Sequence, residues 1–301
     1  MPEDIMIQIP PNKENIGAVI VTYNPDNSFQ KRIEKILGQV KQIVIVDNCS
    51  FKPVSLMIFS LMTNNNIFVI QNESNFGIAE ALNEGLDWLK KRGFYWALCL
   101  DQDSSVFDGM IDTLIRVFDL YKNKSKLAVI GSNYINSEGK PRYRCTSERQ
   151  YAEKKTVITS GSLISLTAFE AIGSFRSDFF MDHVDHEFCL RAIERGFKVI
   201  LACKPLMEHN IGQNRLCHIL WKTIQIEVHS PDRYYYKARN HALMLREYFF
   251  KDIFWALKSI YAALNLVFLT CLFEDDRILK LKMTLKGYWE GTFGNFDKIN
   301  R

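Results

Sequence analysis

The 301-residue sequence has no C-x-x-C pair among its seven cysteines, no G-x-G-x-x-G after its first strand-like run, no internal repeat and no low-complexity segment. The missing glycine fingerprint removes the usual dinucleotide grip, so a bound phosphate must be held in some other way. Strong charge of either sign is missing too. The 38 Lys+Arg against 34 Asp+Glu leave a formal +4, too little to argue for a nucleic-acid partner. Hydrophobic residues at 47% and charged residues at 24% exclude a disordered chain and a polytopic membrane protein. The opening MPEDIMIQIPPNKEN carries acids and prolines where a signal peptide has a basic start and an apolar core, so a cytoplasmic protein is expected. Cys99, Cys189, Cys203 and Cys271 lie in apolar runs and read as reduced thiols packed as small hydrophobes, in keeping with a reducing compartment.

What is present is a regular alternation. From Ala18 to Leu100 short apolar runs (AVIVTY, IVIVD, IFVI, YWALCL) alternate with amphipathic ones (SFQKRIEKIL, VSLMIFSLM, IAEALNEGLDWLKKRG), the pattern of β-α-β-α-β-α-β. Ile78, Leu82, Leu86 and Leu89 share one helical face and Gly93 follows as a stop. The strands are apolar throughout, as doubly covered parallel strands are, so the first half predicts a Rossmann-like open sheet. A helix is predicted within Phe107 to Tyr121, an exposed loop from Asn136 to Lys155, a strand interrupted at Ser160 and Gly161, and a capping box over Thr167 to Glu170.

Ligands of open α/β sheets bind beyond the carboxyl ends of the strands, and the polar exceptions sit there: Thr22 and Asn24, Asp47, then Asp101 and Asp103. Two acids two residues apart repel unless a cation shares them, which leaves a metal, a solvent-facing turn or a catalytic dyad. The rim position favours a hard cation such as Mg2+ or Mn2+, held by one or two carboxylates together with substrate phosphates. Asp182, Asp185 and Glu187 precede or open a helix that ends at Gly196, where helix capping alone explains an acid. His183 and His186 lack a third ligand nearby and read as solvent-facing. Read singly, His209 is a loop histidine, and Arg233 to Asn240 is either a helix covering apolar surface or a clamp on phosphate oxygens.

Taken in order, VIVTYNP, IVIVDN with Ser50 behind it, NFGIAEALNEGL starting at Asn75, LDQDS, TSGSLIS, IGSF and the acidic segment before EFCLR resemble the family 2 glycosyltransferases, and especially the bacterial rhamnosyltransferases. The resemblance runs from about Ala18 to Asn240. It implies an α/β GT-A fold: a Rossmann-like, mostly parallel sheet flanked by helices over residues 1–240, with a helical C-terminal appendage over residues 241–301. It also implies that Asp47 binds the nucleotide base, that Asp101 and Asp103 hold the metal on the diphosphate, and that Asp185 deprotonates the acceptor. His209 matches a metal or diphosphate position; Thr22, Asn24, Asn75, Arg239 and Asn240 match the nucleotide side; Ser160, Gly161 and Asp182 fall on the acceptor side. Many relatives carry Glu-Asp where this sequence has Val184-Asp185, with Asp182 one turn earlier.

The activity so implied is inverting transfer of a sugar, L-rhamnose from dTDP-rhamnose above others, to a saccharide hydroxyl, with a lipid-linked acceptor in surface polysaccharide (O-antigen) synthesis. Other sugar nucleotides, a sugar-nucleotide-binding protein without turnover, and a haloacid-dehalogenase-like phosphatase are the rival readings. Ile253 to Phe273 is long and apolar but interrupted by Lys258 and Asn265; with Lys280, Lys282, Lys286, Tyr288 and Trp289 behind it, it is expected to lie on the inner-membrane surface. An oligomer is compatible with the sequence.

Overall fold

Four apolar runs become parallel neighbours in the computed structural model, which describes residues 8–136, 138–146, 148–209, 213–219 and 222–294. They are β1 (Ile16–Thr22), β2 (Gln42–Asp47), β3 (Ile67–Gln71) and β4 (Trp96–Asp101), in the order β3-β2-β1-β4. Helices α1 (Phe29–Ile36), α2 (Lys52–Ser60) and α3 (Ile78–Lys91) connect them. Ile43, Val44, Ile45 and Val46 are fully buried, which is why this strand is apolar at every position rather than at alternate ones. Leu82, Leu86 and Leu89 turn one face of α3 into the core, each burial being worth about 1.5–3 kcal/mol. Register sets the functional rim: Thr22 lies opposite Asp47 and Val21 opposite Asp101, so three strands end level with one another.

Beyond β4 the sheet is mixed. The chain continues through β5 (Ser105–Val106), α4 (Met110–Leu120), β6 (Leu127–Ile135), β7 (Tyr151–Glu153), β8 (Ser162–Ser165), α5 (Leu166–Ile172), α6 (Val184–Glu194) and β9 (Lys198–Glu208). The spatial order runs on as β4-β8-β6-β9-β5, with β7 on β9. Only β6 and β9 are parallel here; β8 is antiparallel to β4 and β6, and β5 and β7 are antiparallel to β9. Three sequence expectations change. The cap of α5 is Ser165, whose Oγ accepts from the Ala168 N–H at 3.2 Å, while Thr167 sits inside the helix. The polar loop contains β7 and is fastened by a disulfide between Cys145 and Cys203, with Cα atoms 5.7 Å apart. Cys203 is therefore not a packed thiol; the two cysteines lie 58 residues apart, a separation that carries no sequence signature. Cys99 and Cys189 do stay buried thiols, and burial, reinforced by the Asp185 and Glu187 charges, pushes Cys189 up to about 12.

Residues Met1–Ser177 and Val184–Asn210 form one compact unit; Asp178–His183 and Ile211–Arg301 form a second. The second contains the hairpin β10 (Gln213–Ile219) and β11 (Lys222–Val228), then α7 (Pro231–Tyr248), α8 (Ile253–Phe273) and α9 (Arg277–Phe293). A division at residue 240 cuts α7, which the structure keeps whole. On α9, Gly287 and Gly291 press against α7: a Cβ added at either would stand 2.3 Å from the Tyr235 carbonyl oxygen or 2.4 Å from that of Arg239. Ala238 and Ala242 face them, so small residues on both helices bring the two backbones close. By contrast α8 turns Phe254, Leu257, Tyr261, Leu264 and Phe268 outward.

Candidate active site

The rim begins with a buried carboxylate. Asp47 is 0% exposed, and its oxygens accept from Thr22 Oγ1 at 3.0 Å, Gln71 Nε2 at 2.8 Å, Ser55 Oγ at 3.2 Å and the Ser50 hydroxyl. With these donors in place Asp47 organises the loop after β2. Ser50 passes the order on: its Oγ accepts from the Asn24 N–H at 2.7 Å, and Asn24 Oδ1 accepts from the Phe51 N–H at 2.8 Å. Asn24 takes φ +50°, a conformation asparagine tolerates. Asn75 caps the turn into α3 by accepting from the Gly77 N–H at 3.0 Å.

At the end of β4 the structure brings Asp101, Asp103 and His209 together, with one ligand atom from each lying within 4.8 Å of the others. The strand pairing that does this is short: β5, directly after the D-x-D, sets Ser105 opposite Glu208, the residue before His209. His209 Nε2 stands 3.9 Å from Asp101 Oδ2 and its Nδ1 3.5 Å from Asp103 Oδ1. Its ring is held by Ser104, whose Oγ lies 2.8 Å from Nδ1, and by an edge-to-face contact with Tyr134 at 5.5 Å. Ser104 Oγ meets Ser160 Oγ at 2.7 Å, and Ser160 Oγ accepts from the Asp101 N–H at 3.0 Å. A chain of hydroxyls thus fixes both ends of the cluster. Ser160 and Gly161, expected on the acceptor side, are buried beneath it instead. Gly161 adopts φ +77°, and what approaches it closely is the Met207 side chain, 2.8 Å from an added Cβ.

Gln102, between the two acids, ties β4 to β1. Its Oε1 accepts from the Tyr23 N–H at 2.7 Å, its Nε2 donates to the Tyr23 carbonyl at 3.2 Å, and its own carbonyl accepts from Arg32 Nε at 2.7 Å. The sequence carried one sign of this: a polar residue flanked by rim acids.

The three downstream acids have three different environments. Asp185 lies in the first turn of α6, half-buried, with Oδ1 accepting from the His186 N–H at 2.8 Å. Glu187 is buried and held by both arms of Arg191, at 2.8 and 2.9 Å, while Arg191 also donates to the carbonyls of Ile172, Gly173 and Ser174. Glu187, through Arg191, closes the end of α5. Asp182 belongs to the second unit, where Arg233 grips it at 3.0 and 3.1 Å; burial pushes its carboxyl up, but Lys237 and Arg233 outweigh that and hold it below the usual value. It is the ion-pair partner of Arg233.

Arg239 and Asn240, expected at the phosphate, hold the 178–183 segment. Asn240 Nδ2 donates to the carbonyls of Phe179, Met181 and Asp182 at 2.7, 2.7 and 3.0 Å, and its Oδ1 accepts from Arg239. Arg239 also donates to the Asp178 carbonyl. Together they hold a segment in which Phe180, Asp182 and His183 all have positive φ, at 44°, 59° and 63°. His183 stacks on His241 with centroids 5.7 Å apart, and neither His183 nor His186 joins a metal-type cluster among the described residues.

With this geometry in view, residues 18–179 match the family described as Glycosyl transferase family 2. The chain is also 30% identical, over 77% of its length and 80% of the relative's, to dTDP-rhamnosyl transferase RfbF of Shigella flexneri. The chain belongs to glycosyl transferase family 2. This glycosyltransferase shares 24% identity with the poly-beta-1,6-N-acetyl-D-glucosamine synthase of Staphylococcus aureus, over 40% of its own length and 28% of that enzyme's. Among solved structures it resembles S. aureus TarS 1-349 at 13% identity and TM-score 0.53, covering 93% of this chain and 72% of that one. It also resembles GalNAc-T7, solved with UDP, GalNAc and Mn2+, at 16% identity and TM-score 0.53, covering 65% and 43%. These two likenesses establish the GT-A-like α/β fold of the glycosyltransferase and no more.

The donor set of the cluster fits a divalent cation. The two carboxylates suit Mg2+ or Mn2+, the imidazole adds a nitrogen that Mn2+ accepts more readily than Mg2+, and the Ser104 bond to Nδ1 leaves Nε2, the nitrogen near Asp101, open as a ligand atom.

Proposed function

We propose that this glycosyltransferase is a metal-dependent, inverting rhamnosyltransferase that moves L-rhamnose from dTDP-rhamnose to a hydroxyl of a lipid-linked saccharide during bacterial surface polysaccharide synthesis. The observation that carries the reading is the convergence of Asp101, Asp103 and His209 at the strand-end rim. The donor sugar rests on the similarity to the S. flexneri dTDP-rhamnosyl transferase. When bound, a divalent cation held by these three residues supplies counter-charge to the leaving diphosphate. Asp185 takes the proton of the acceptor hydroxyl as its oxygen bonds to the anomeric carbon and the bond to the diphosphate oxygen breaks. One displacement inverts the configuration, and no covalent enzyme intermediate is needed.

The same proposal places the enzyme on the cytoplasmic face of the inner membrane. Helix α8 is long and apolar enough to cross a membrane by length and composition, contains no acidic residue, and shows Phe254, Leu257, Tyr261, Leu264 and Phe268 on its outer face beside Lys258. Lys258, within the first two turns of that exposed face, favours a helix lying at the headgroups, where anionic lipid attracts it, over a span.

Calorimetry of the full-length protein with a panel of sugar nucleotides, with and without Mg2+ or Mn2+, tests the reading. Metal-dependent binding of dTDP-rhamnose, weakened at least about tenfold in Asp101→Asn and Asp103→Asn, is expected. Unchanged metal-dependent affinity in both variants overturns the metal assignment, and tighter binding of another sugar nucleotide overturns the donor.

A further inference from the structure

The residue between the two acids of the D-x-D has work of its own. The strand order β3-β2-β1-β4 sends the first two crossovers to one side of β1 and the third to the other, so the sheet reverses direction between β1 and β4. In open α/β sheets the crevice at such a reversal, outside the carboxyl ends of the strands, is where ligands bind. The backbone pairing of these two strands stops at Val21 opposite Asp101. Beyond it the side-chain amide of Gln102 takes over. It accepts from the Tyr23 N–H at 2.7 Å and donates to the Tyr23 carbonyl at 3.2 Å, as the peptide group of a neighbouring strand would.

A second clamp closes the same loop from its far end. Arg32, on α1, donates from Nε to the Gln102 carbonyl at 2.7 Å and from a terminal nitrogen to Asp26 Oδ1 at 2.9 Å, and that oxygen also accepts from the Ser28 N–H at 2.7 Å. The bonds form a ring that runs from the Gln102 amide to Tyr23, along the chain to Asp26, through Arg32 and back to the Gln102 carbonyl. From the other side Ser50 Oγ accepts from the Asn24 N–H at 2.7 Å. Residues 23–28 therefore cannot shift without breaking contacts to the D-x-D turn or to the loop after β2. Yet Tyr23 is 47% exposed, and Asp26, Asn27 and Ser28 are exposed as well. Fixing an exposed turn this firmly costs chain entropy and adds little to the core; what it does is keep one wall of the crevice in a single shape.

We propose that Gln102 is a positioning residue for the donor, holding the Tyr23–Asn24 turn in the shape that receives the nucleoside of a nucleoside-diphosphate sugar. Its amide is spent on Tyr23 and not on the cation, so a residue of the metal motif governs nucleoside affinity through the neighbouring strand. A wall already in its bound shape has less to order when the ligand arrives, and loosening it shows as lost donor affinity. The inference rests on the reading of this rim as the sugar-nucleotide site. It goes beyond that reading by assigning the residue between the two acids a role distinct from theirs.

Calorimetry of the full-length protein with dTDP at saturating Mn2+, set beside steady-state kinetics, tests the proposal. Gln102→Met keeps the length of the side chain without its amide. It is expected to weaken dTDP about tenfold and to raise the donor KM by a like factor, with the acceptor KM and the Mn2+ concentration for half-maximal rate within about twofold of wild type. A side chain that only shaped the cation site would move the Mn2+ requirement instead, and one that only stabilised the fold would move neither constant selectively. If Gln102→Met does not fold, Gln102→Glu, which accepts from the Tyr23 N–H but sets a carboxylate against the Tyr23 carbonyl, carries the same expectation for dTDP. A dTDP affinity within about twofold of wild type, or a change in Mn2+ requirement as large as the change in dTDP affinity, overturns the proposal. The donor reading fails separately: wild-type protein that binds another nucleoside diphosphate more tightly rejects dTDP-rhamnose, and that nucleotide becomes the probe for Gln102. Wild-type protein that binds no nucleoside diphosphate overturns both.

Discussion

Replacing Asp185 by Asn separates chemistry from stability because the structure shows what the carboxylate does for the fold. Its Oδ1 accepts one hydrogen bond, from the His186 N–H at 2.8 Å, and an amide oxygen accepts that bond equally well. What the fold loses is a negative charge at a helix N-terminus, worth about 0.3–1 kcal/mol, or a few degrees of melting temperature. On the proposed mechanism the reaction loses its proton acceptor, typically about 100-fold to 10,000-fold in rate, equivalent to about 2.7–5.5 kcal/mol of barrier. The kinetic loss must therefore exceed the loss in stability severalfold in free energy. Glu187→Gln, two residues away, should reverse the pattern. It leaves the half-buried Arg191 guanidinium without its counter-charge at a buried site, a change of up to about 3–5 kcal/mol, so the melting temperature falls sharply. Initial rates at saturating donor and acceptor, set beside thermal melts of both variants, measure the contrast. Near-native turnover in Asp185→Asn would refute the base assignment.

The Asp182 carboxyl is held below the ordinary value of 3.8, so the Arg233 pair contributes stability that is complete above that pH and is lost as pH falls through the folded value. Asp182→Asn should flatten this part of the acid limb in melting curves taken from about pH 5 downward, and an unchanged limb would contradict the assignment. Gly161→Ala forces a side chain into φ +77°, at a cost of about 1–2 kcal/mol in denaturant titrations, with the Met207 tip yielding easily; a loss under about 0.5 kcal/mol would mean that the turn relaxes freely. Replacing Leu257, Tyr261 and Leu264 with serine should abolish co-sedimentation with anionic vesicles while leaving dTDP-rhamnose binding intact; failure of the wild-type protein to bind such vesicles ends the surface-helix proposal.

The strand-end rim was legible because parallel strands place their last residues level, so Thr22, Asp47 and Asp101 could be grouped from the apolar runs alone. His209 was not legible by spacing. Its place depends on two residues of β5 pairing with β9 across more than a hundred positions, and only the family resemblance marked it. Arg239, Asn240 and Asp182 show what a sequence leaves out. The sequence names their polar groups but not what those groups already touch, and each proves to be engaged within the second unit. The disulfide was missed for a related reason: proximity of Cys145 to Cys203 is created by the path of a loop, and loop paths leave no periodicity to read.

The glycine seam between α7 and α9 bears on how the tail can be handled at the bench. Cutting the chain after Asp252 to obtain a tidier protein would strip away not only the apolar α8 but also the helix lying against Tyr235 to Ala242, the stretch that carries Arg239 and Asn240. The loss would reach the 178–183 segment, and an inactive truncation would be mistaken for a membrane requirement. Surface redesign of α8, with α9 left in place, is the modification that keeps those two explanations apart.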